Sequence, residues 1–199
     1  SMVLLLVGHH GPGARAKVRS VINSQIYFTG VQALTIIMGI STLFSAALMS
    51  VGYRTLRSLG AESHFGDLLR LAITTELGPL LTALIVVARS GTAITTELAS
   101  MKINDEIDAL VVHGVDPVAY LILPRVIGVW LATLVLSVVF VAMVYAGCIL
   151  IAPPLGLDLK EVANGLLLSL RPEDISLLAI KSSVFGLTIP MVTIHHGLR

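Results

Sequence analysis

Two ionisable residues lie inside long apolar runs of this 199-residue sequence. Glu76 interrupts the run from 71 to 88, and Lys181 interrupts the run from 175 to 196. A charge at the centre of a membrane-spanning helix costs about 2.5–3.5 kcal/mol, so such residues normally face a bundle interior or an aqueous cavity. A structural ion pair, or a lysine that reaches outward to the membrane surface, would satisfy the same pattern. The two residues therefore indicate either a substrate cavity or a purely structural role.

The two residues that follow Leu77 also indicate a functional site near Glu76. They are Gly78 and Pro79, in the same apolar run. A Gly-Pro pair in a spanning helix is typical of a kink or a broken turn, and the binding sites of transporters often contain such turns. We therefore add Gly78 and Pro79 to the candidate cavity.

The composition identifies the class of protein. Hydrophobic residues make up 55% of the sequence, charged residues only 13%, and the mean hydropathy is +0.92. A soluble domain usually carries about 25% charged residues. The 13 basic and 12 acidic residues give a net charge of +1 and form no basic stripe, so nucleic acid is not an expected partner. The sequence predicts an integral membrane protein.

Four apolar runs are long enough to cross a bilayer, which needs roughly 20 residues. Because they are continuous rather than alternating, they predict helices and not the strands of a barrel. We treat residues 1–199 as a single membrane domain, in which 1–25 form an N-terminal cytoplasmic or interfacial segment. The predicted spans are 26–52, 71–88, 126–152 and 175–196. Pro153 and Pro154 are expected to end the third helix, and Pro172 to open the fourth.

The distribution of basic residues sets the expected orientation. Arg15, Lys17 and Arg19 precede the first span without an acidic residue among them. Because basic residues favour the cytoplasmic side and the first helix usually dominates, we expect a cytoplasmic N-terminus. The connection between the second and third spans is then cytoplasmic as well.

This connection has the pattern of a short amphipathic helix. Asn104 can cap its start, with acidic residues in the first turn, and Gly114 suits the left-handed residue beyond its end. Asp116 and Pro117 then begin the next helix. One apolar face is expected from Met101, Ile107, Leu110 and Val111. Spacing alone does not decide between a helix that lies on the membrane surface and a helix that docks a partner.

Several kinds of chemistry lack their motifs. The sequence has no GxxxxGK[ST] phosphate loop, no HExxH zinc helix and no GxSxG elbow. The single Cys148 excludes a multi-cysteine metal site. We therefore expect neither a metal nor a cofactor. Three functions remain open: a transporter subunit, an intramembrane enzyme using Glu76, and a membrane scaffold. The enzyme would need a paired catalytic group, and the scaffold leaves the two intramembrane charges unexplained.

Four ordered motifs resemble those of the MlaE/YrbE-type permeases, the membrane subunits of ABC systems that move phospholipids with MCE proteins. The motifs are YFTGVQAL, ELGPLLTALIVVARSGTAITTELASMKINDEIDAL, GVDPVAYLILPR and IKSSVFG, and the similarity covers most of residues 26–199. The resemblance implies an all-α permease of the bacterial inner membrane, with a cytoplasmic coupling helix between spans two and three. It also implies a homodimer, separate cytoplasmic ABC ATPase subunits that hydrolyse ATP, a periplasmic MCE protein and a phospholipid substrate.

The resemblance also assigns residues. The ATPase coupling region is expected at 97–114, and its candidate residues are Glu97, Met101, Glu106, Ile107, Asp108 and Leu110. Glu76 and Lys181 match polar positions of the family and become candidates for the lipid cavity. Some members carry arginine at the position of Thr75, so a local arginine–glutamate pair is not expected here. The family has a fifth span, whereas this sequence ends after the fourth, by truncation or because the protein is naturally short.

Overall fold

The computed structural model describes residues 32–198, apart from the side chains of Gln32, Glu62 and Glu161. The predicted segment 1–25, with its basic cluster, lies outside the described residues, and so does the beginning of the predicted first span, 26–31.

The described residues form an all-α structure, as predicted. Four helices are long and apolar enough to cross a membrane: α1 (Ala33–Ser58), α2 (Phe65–Ile103), α4 (Val118–Ile151) and α6 (Pro172–Gly197). Two short helices lie between them: α3 (Glu106–Val112) and α5 (Leu159–Ser169). Single 3₁₀ turns at Glu62–His64 and Pro153–Leu155 complete the connections, and no strand occurs between residues 32 and 198.

The long helices run alternately in opposite directions, so α2 and α6 are parallel to each other. α3 connects α2 to α4 at one end of the bundle, and α5 connects α4 to α6 at the other. We call these the α3 end and the α5 end. α4 lies at the centre, where it packs against α1, α2 and α6.

α2 is much longer than its apolar run. The run was expected to span 71–88, whereas the helix begins at Phe65 and continues to Ile103. Apolar composition marks the part of a helix that can lie in lipid, but backbone hydrogen bonding does not stop at the first charged residue. Residues 87–91 remain helical in a wide π turn, so no break separates the span from its extension.

The start of α3 differs from the prediction that Asn104 caps it. The N–H of Asn104 donates to Ser100 O at 3.0 Å and so still belongs to α2. Asp105 precedes α3 in the left-handed conformation, with φ of 56°, and its side chain makes no capping hydrogen bond. The chain therefore turns sharply between the two helices over only two residues.

The end of α3 follows the prediction. Gly114 is left-handed, with φ of 73°. Its N–H donates to Val111 O, and the N–H of Val115 donates to Leu110 O, both at 2.9 Å. These two bonds form a Schellman motif, which satisfies the last carbonyls of the helix. Asp116 Oδ1 then accepts the N–H of Val118 at 3.0 Å, so the predicted cap of α4 is confirmed.

α1 packs on α4 through a stripe of residues spaced four apart. Ala33, Ile37, Ser41 and Ser45 are all fully buried. Small residues allow helices in a membrane to approach closely. At the closest point, Ser45 faces Gly147 of α4, where a side-chain Cβ would lie only 2.7 Å from Ser45 Cβ.

Replacement of Gly147 by alanine is expected to destabilise the bundle by about 1–3 kcal/mol, because an added carbon at a packed contact forces the helices apart. The matched control is Gly39→Ala in α1, where nothing lies within 4 Å of the added Cβ. The control should be neutral or more stable by about 0.5–1 kcal/mol. Thermal unfolding in detergent measures both variants, and equal unfolding temperatures would show that this contact does not limit helix packing.

A buried ion pair joins α2 to α6 at the α5 end. Arg70 Nη1 lies 2.8 Å from Asp174 Oδ1, and the Asp174 side chain is only 3% exposed. Asp174 Oδ2 also accepts the N–H of Arg171 at 2.9 Å, which caps α6 one residue before Pro172. One carboxylate therefore both starts α6 and fixes it against the beginning of α2.

Candidate functional site

The two ionisable residues of the apolar runs meet in the structure. Glu76 of α2 and Lys181 of α6 form an ion pair, with 2.6 Å between Oε1 and Nζ. The Glu76 side chain is 68% exposed on the surface of the chain and that of Lys181 is 35% exposed. The pair lies towards the α5 end, less than two turns along α2 from the Arg70–Asp174 pair.

A backbone carbonyl holds Lys181 as well. Its Nζ donates to Thr75 O at 2.9 Å. In an α-helix the donor to this carbonyl would be the N–H of residue 79, but Pro79 has none. The ammonium of α6 thus occupies an acceptor that the proline leaves available. Lys181 is therefore held near α2 by a neutral group in addition to the Glu76 carboxylate.

The Gly-Pro pair does not break α2. The backbone stays right-handed at Gly78, and its N–H donates to Ile73 O at the end of a wide π turn, Arg70–Leu77. Turns of this kind are frequent at functional sites. Gly78 and Pro79 are both buried, and a Cβ on Gly78 would lie 2.7 Å from Val141 of α4. The glycine thus permits α4 to pack closely behind the helix that carries Glu76.

Hydroxyl groups form a polar layer behind the ion pair. Thr74 Oγ1 lies 3.2 Å from the hydroxyl of Tyr145, and the hydroxyl of Ser182 donates to that of Ser137 at 2.7 Å. All four residues are buried. These four residues were not predicted from the sequence, because among polar residues only the charged ones were taken as candidates; polar residues within the apolar runs are the pattern that indicates them.

The ion pair can present both of its charges to a ligand while the Glu76–Lys181 contact stays in place. A lysine ammonium has three N–H donors, and two of them are used by Glu76 Oε1 and Thr75 O. The remaining donor can serve an anionic oxygen such as that of a phosphodiester. The exposed Glu76 carboxylate can accept from a cationic group. Within residues 32–198, no three His, Cys, Asp or Glu side chains are grouped to hold a metal.

An apolar cavity lies further along α2, on the side that faces α1. Its volume is about 550 Å³, and it lies between α1 and α2. Leu81, Leu84 and Ile85 line it on α2, while Ile36 and Ile40 line it on α1. Leu81 follows Glu76 by roughly one and a half helical turns. Polar and apolar binding surfaces are thus present on one element.

The comparison with known proteins agrees with the resemblance. A family model described as Permease MlaE matches residues 22–199. The chain belongs to the MlaE permease family. It is 33% identical to the chloroplastic Protein TRIGALACTOSYLDIACYLGLYCEROL 1 of Arabidopsis thaliana, over 87% of the chain and 50% of that protein. The chain thus spans half the length of this relative.

Two bacterial relatives show the same family. The intermembrane phospholipid transport system permease protein MlaE of Haemophilus influenzae is 32% identical, over 87% of the chain and 67% of that protein. A probable ABC transporter permease protein of Rickettsia prowazekii is 30% identical, over 89% of the chain and 69% of that protein. Together with the four candidate spans, these relatives establish a multi-pass membrane protein of the MlaE permease family.

The residues expected to couple to an ATPase lie on two elements of this MlaE-family chain. Glu97 and Met101 are on the last turns of α2, and the others are on α3. Glu97 Oε1 lies 2.7 Å from Arg125 Nη2 of α4, a contact that sequence analysis did not anticipate. Glu106 and Asp108 are exposed. The remaining candidates, Met101, Ile107 and Leu110, are half-buried against the protein itself.

The apolar surface that faces outward at the α3 end is therefore different from the expected face. Ile103 is 80% exposed, Val111 57% and Val112 84%. The sequence placed Val111 on the same face as Ile107 and Leu110. The short α3 instead turns Leu110 towards the core and leaves the valines outside. We call Ile103, Val111 and Val112 the α3 patch.

Proposed function

We propose that this chain is the membrane-spanning permease subunit of an ABC transporter that moves phospholipids between the bacterial inner membrane and a periplasmic MCE protein. ATP hydrolysis would take place on separate cytoplasmic ATPase subunits, and two copies of the permease would form the membrane pathway. The observation that carries the proposal is the Glu76–Lys181 pair, which leaves opposite charges partly exposed inside the candidate spans of an MlaE-family permease.

The pair suits a phospholipid headgroup. A phosphodiester matches the remaining donor of Lys181, and Glu76 is exposed enough to move aside or to accept from an amine of the headgroup. Thr75 O keeps the ammonium in place while Glu76 moves. The buried Gly78 and Pro79 support this arrangement from behind. Hydrogen bonds to charged groups are worth about 1.5–3 kcal/mol, enough to orient a headgroup.

The apolar cavity between α1 and α2 suits an acyl chain. Its volume of about 550 Å³ falls within the range of about 300–1,000 Å³ that is typical of ligand pockets. It lies further along α2 than the ion pair and on the α1 side of that helix, so a lipid bound at both places would pass across the surface of α2. A phospholipid combines the two chemistries that these two sides of α2 offer.

The α3 end suits a cytoplasmic partner. The α3 patch lies beyond the predicted spans, where exposed apolar side chains are costly unless a partner covers them. Acidic Glu106 and Asp108 border it. We therefore propose the region 97–114 as the docking element for the ATPase, with a cytoplasmic N-terminus.

Reconstitution of the full-length protein tests the proposed function. The permease, its ATPase and its MCE partner would be placed in vesicles of phosphatidylethanolamine and phosphatidylglycerol that contain a fluorescent phospholipid. We expect ATP to drive movement of the labelled lipid to or from the MCE protein, and an ATPase variant that cannot hydrolyse ATP to stop it. A complex that assembles without moving lipid would indicate a scaffold, and chemically altered lipid would indicate an enzyme.

A further inference from the structure

A further ion pair, Glu97–Arg125, lies at the α3 end, far from the proposed headgroup site. Arg125 Nη2 lies 2.7 Å from Glu97 Oε1. The two partners differ in environment, since the Arg125 side chain is only 7% exposed and that of Glu97 is 59% exposed. Arg125 Nη1 is buried as well and has no hydrogen-bond partner in the described structure. Glu97 is therefore the one described carboxylate that compensates this buried cation.

The position of the pair matters as much as its chemistry. Glu97 lies on α2 before the turn into α3, and Arg125 lies near the beginning of α4, after the chain has left α3. The pair thus closes residues 98–124 into a loop that contains α3. The ion pair that closes this loop connects the spanning helices α2 and α4 directly.

The loop itself has little freedom. Leu98, next to Glu97, is fully buried. The two-residue turn before α3 and the Schellman motif after it are both hydrogen-bonded, and Asp116 caps the start of α4. Because the connections on both sides of α3 are short and the Glu97–Arg125 pair closes the loop, α3 must follow any relative movement of α2 and α4.

We propose that Arg125 and Glu97 are positioning residues that make α3 move together with the spanning helices α2 and α4. This inference rests on the proposed function, and it gives Glu97 a role within the permease instead of a direct contact with the ATPase. Breaking the pair should leave docking intact but separate ATP hydrolysis from lipid movement.

The test compares Glu97→Gln, Arg125→Gln and the double variant in the reconstituted complex of the full-length protein. The readout is the amount of fluorescent phospholipid moved per ATP hydrolysed. We expect this ratio to fall by about fivefold or more in each single variant, the size typical of coupling between sites. The ATPase should still co-purify. The double variant should be no worse than the more affected single variant, because residues in contact do not act additively.

Asp174→Asn is the matched control, since it removes one partner of the buried ion pair at the opposite end of the bundle. It should lower the yield of folded protein, but the molecules that fold should keep the normal ratio. A general loss of stability thereby becomes distinguishable from a loss of coupling.

An unchanged ratio in Glu97→Gln would overturn the inference, and so would single-variant effects that multiply in the double variant. Loss of ATPase co-purification in Glu97→Gln, but not in Arg125→Gln, would assign Glu97 to the ATPase surface instead. If the unaltered complex moves no lipid, the proposed function fails by itself. Amide hydrogen exchange of residues 106–112 then decides the positioning role: exchange should accelerate in Glu97→Gln, and an unchanged rate contradicts it.

Discussion

Lys181→Met is expected to reduce ATP-driven phospholipid movement by about 10- to 100-fold while the protein remains folded. The size follows from the loss of a charged hydrogen bond to a phosphate, worth about 1.5–3 kcal/mol. Folding should survive because the proposed cavity admits water to the Glu76 side chain left behind, which the chain itself leaves 68% uncovered. The measurement is the rate of fluorescent phospholipid transfer in reconstituted vesicles.

Two further variants separate a headgroup site from a structural ion pair. If the residues contact the headgroup, Glu76→Gln should also reduce transport, and the double variant should not recover it. If the pair is only structural, Lys181→Met alone should be worse than the double variant, because a charge that loses its partner is costlier than no charge. Lys160→Met is the matched control, since Lys160 is an exposed residue of α5, and this variant should transport normally. Normal transport in both single variants would reject the cavity role.

Val112→Asp is expected to weaken ATPase binding by about 10- to 100-fold without affecting membrane insertion. Val112 is 84% exposed in the α3 patch, so its substitution removes no contact within the chain. Burial of such a side chain by a partner contributes about 1.5–3 kcal/mol, which the aspartate would lose. Co-purification of the ATPase and its stimulated hydrolysis rate are the measurements.

Leu168→Asp provides the matched control for this variant. Leu168 is 85% exposed on the short α5, at the opposite end of the bundle. Its replacement by aspartate should therefore leave ATPase binding unchanged. Leu110→Asp should behave differently from both, since Leu110 packs against the core and its loss should lower the folded yield. Equal ATPase binding by Val112→Asp and Leu168→Asp would show that the α3 patch is not the docking surface.

Much of the fold follows from local patterns in the sequence. The four long apolar runs predict four candidate spans because lipid leaves the backbone no other partners. Gly114 and Pro172 mark helix ends where the structure has them, since left-handed geometry and a missing N–H act within a few residues. Pro153 likewise lies two residues after the last residue of α4, Ile151.

Contacts between distant residues were harder to predict. From the sequence, the Glu76–Lys181 pair was one of several possibilities, because similar depth in a membrane does not establish which helices are neighbours. The Glu97–Arg125 contact was missed for the same reason. The predicted cap at Asn104 was wrong because the N–H of this residue still donates within α2. Sequence patterns do not show at which residue one helix ends when another follows almost at once.

The length of α2 has a mechanical consequence. Beyond its apolar run, residues 89–103 continue the same helix for about 22 Å at 1.5 Å per residue. Such an extension acts as a lever: a tilt of about 10° within the membrane displaces its tip by about 4 Å over that length. Because α3 follows after only two residues, a partner that pulls on α3 applies torque to the helix that carries Glu76. A small movement at the lever tip can thus reorient the charged pair near the opposite end of the bundle.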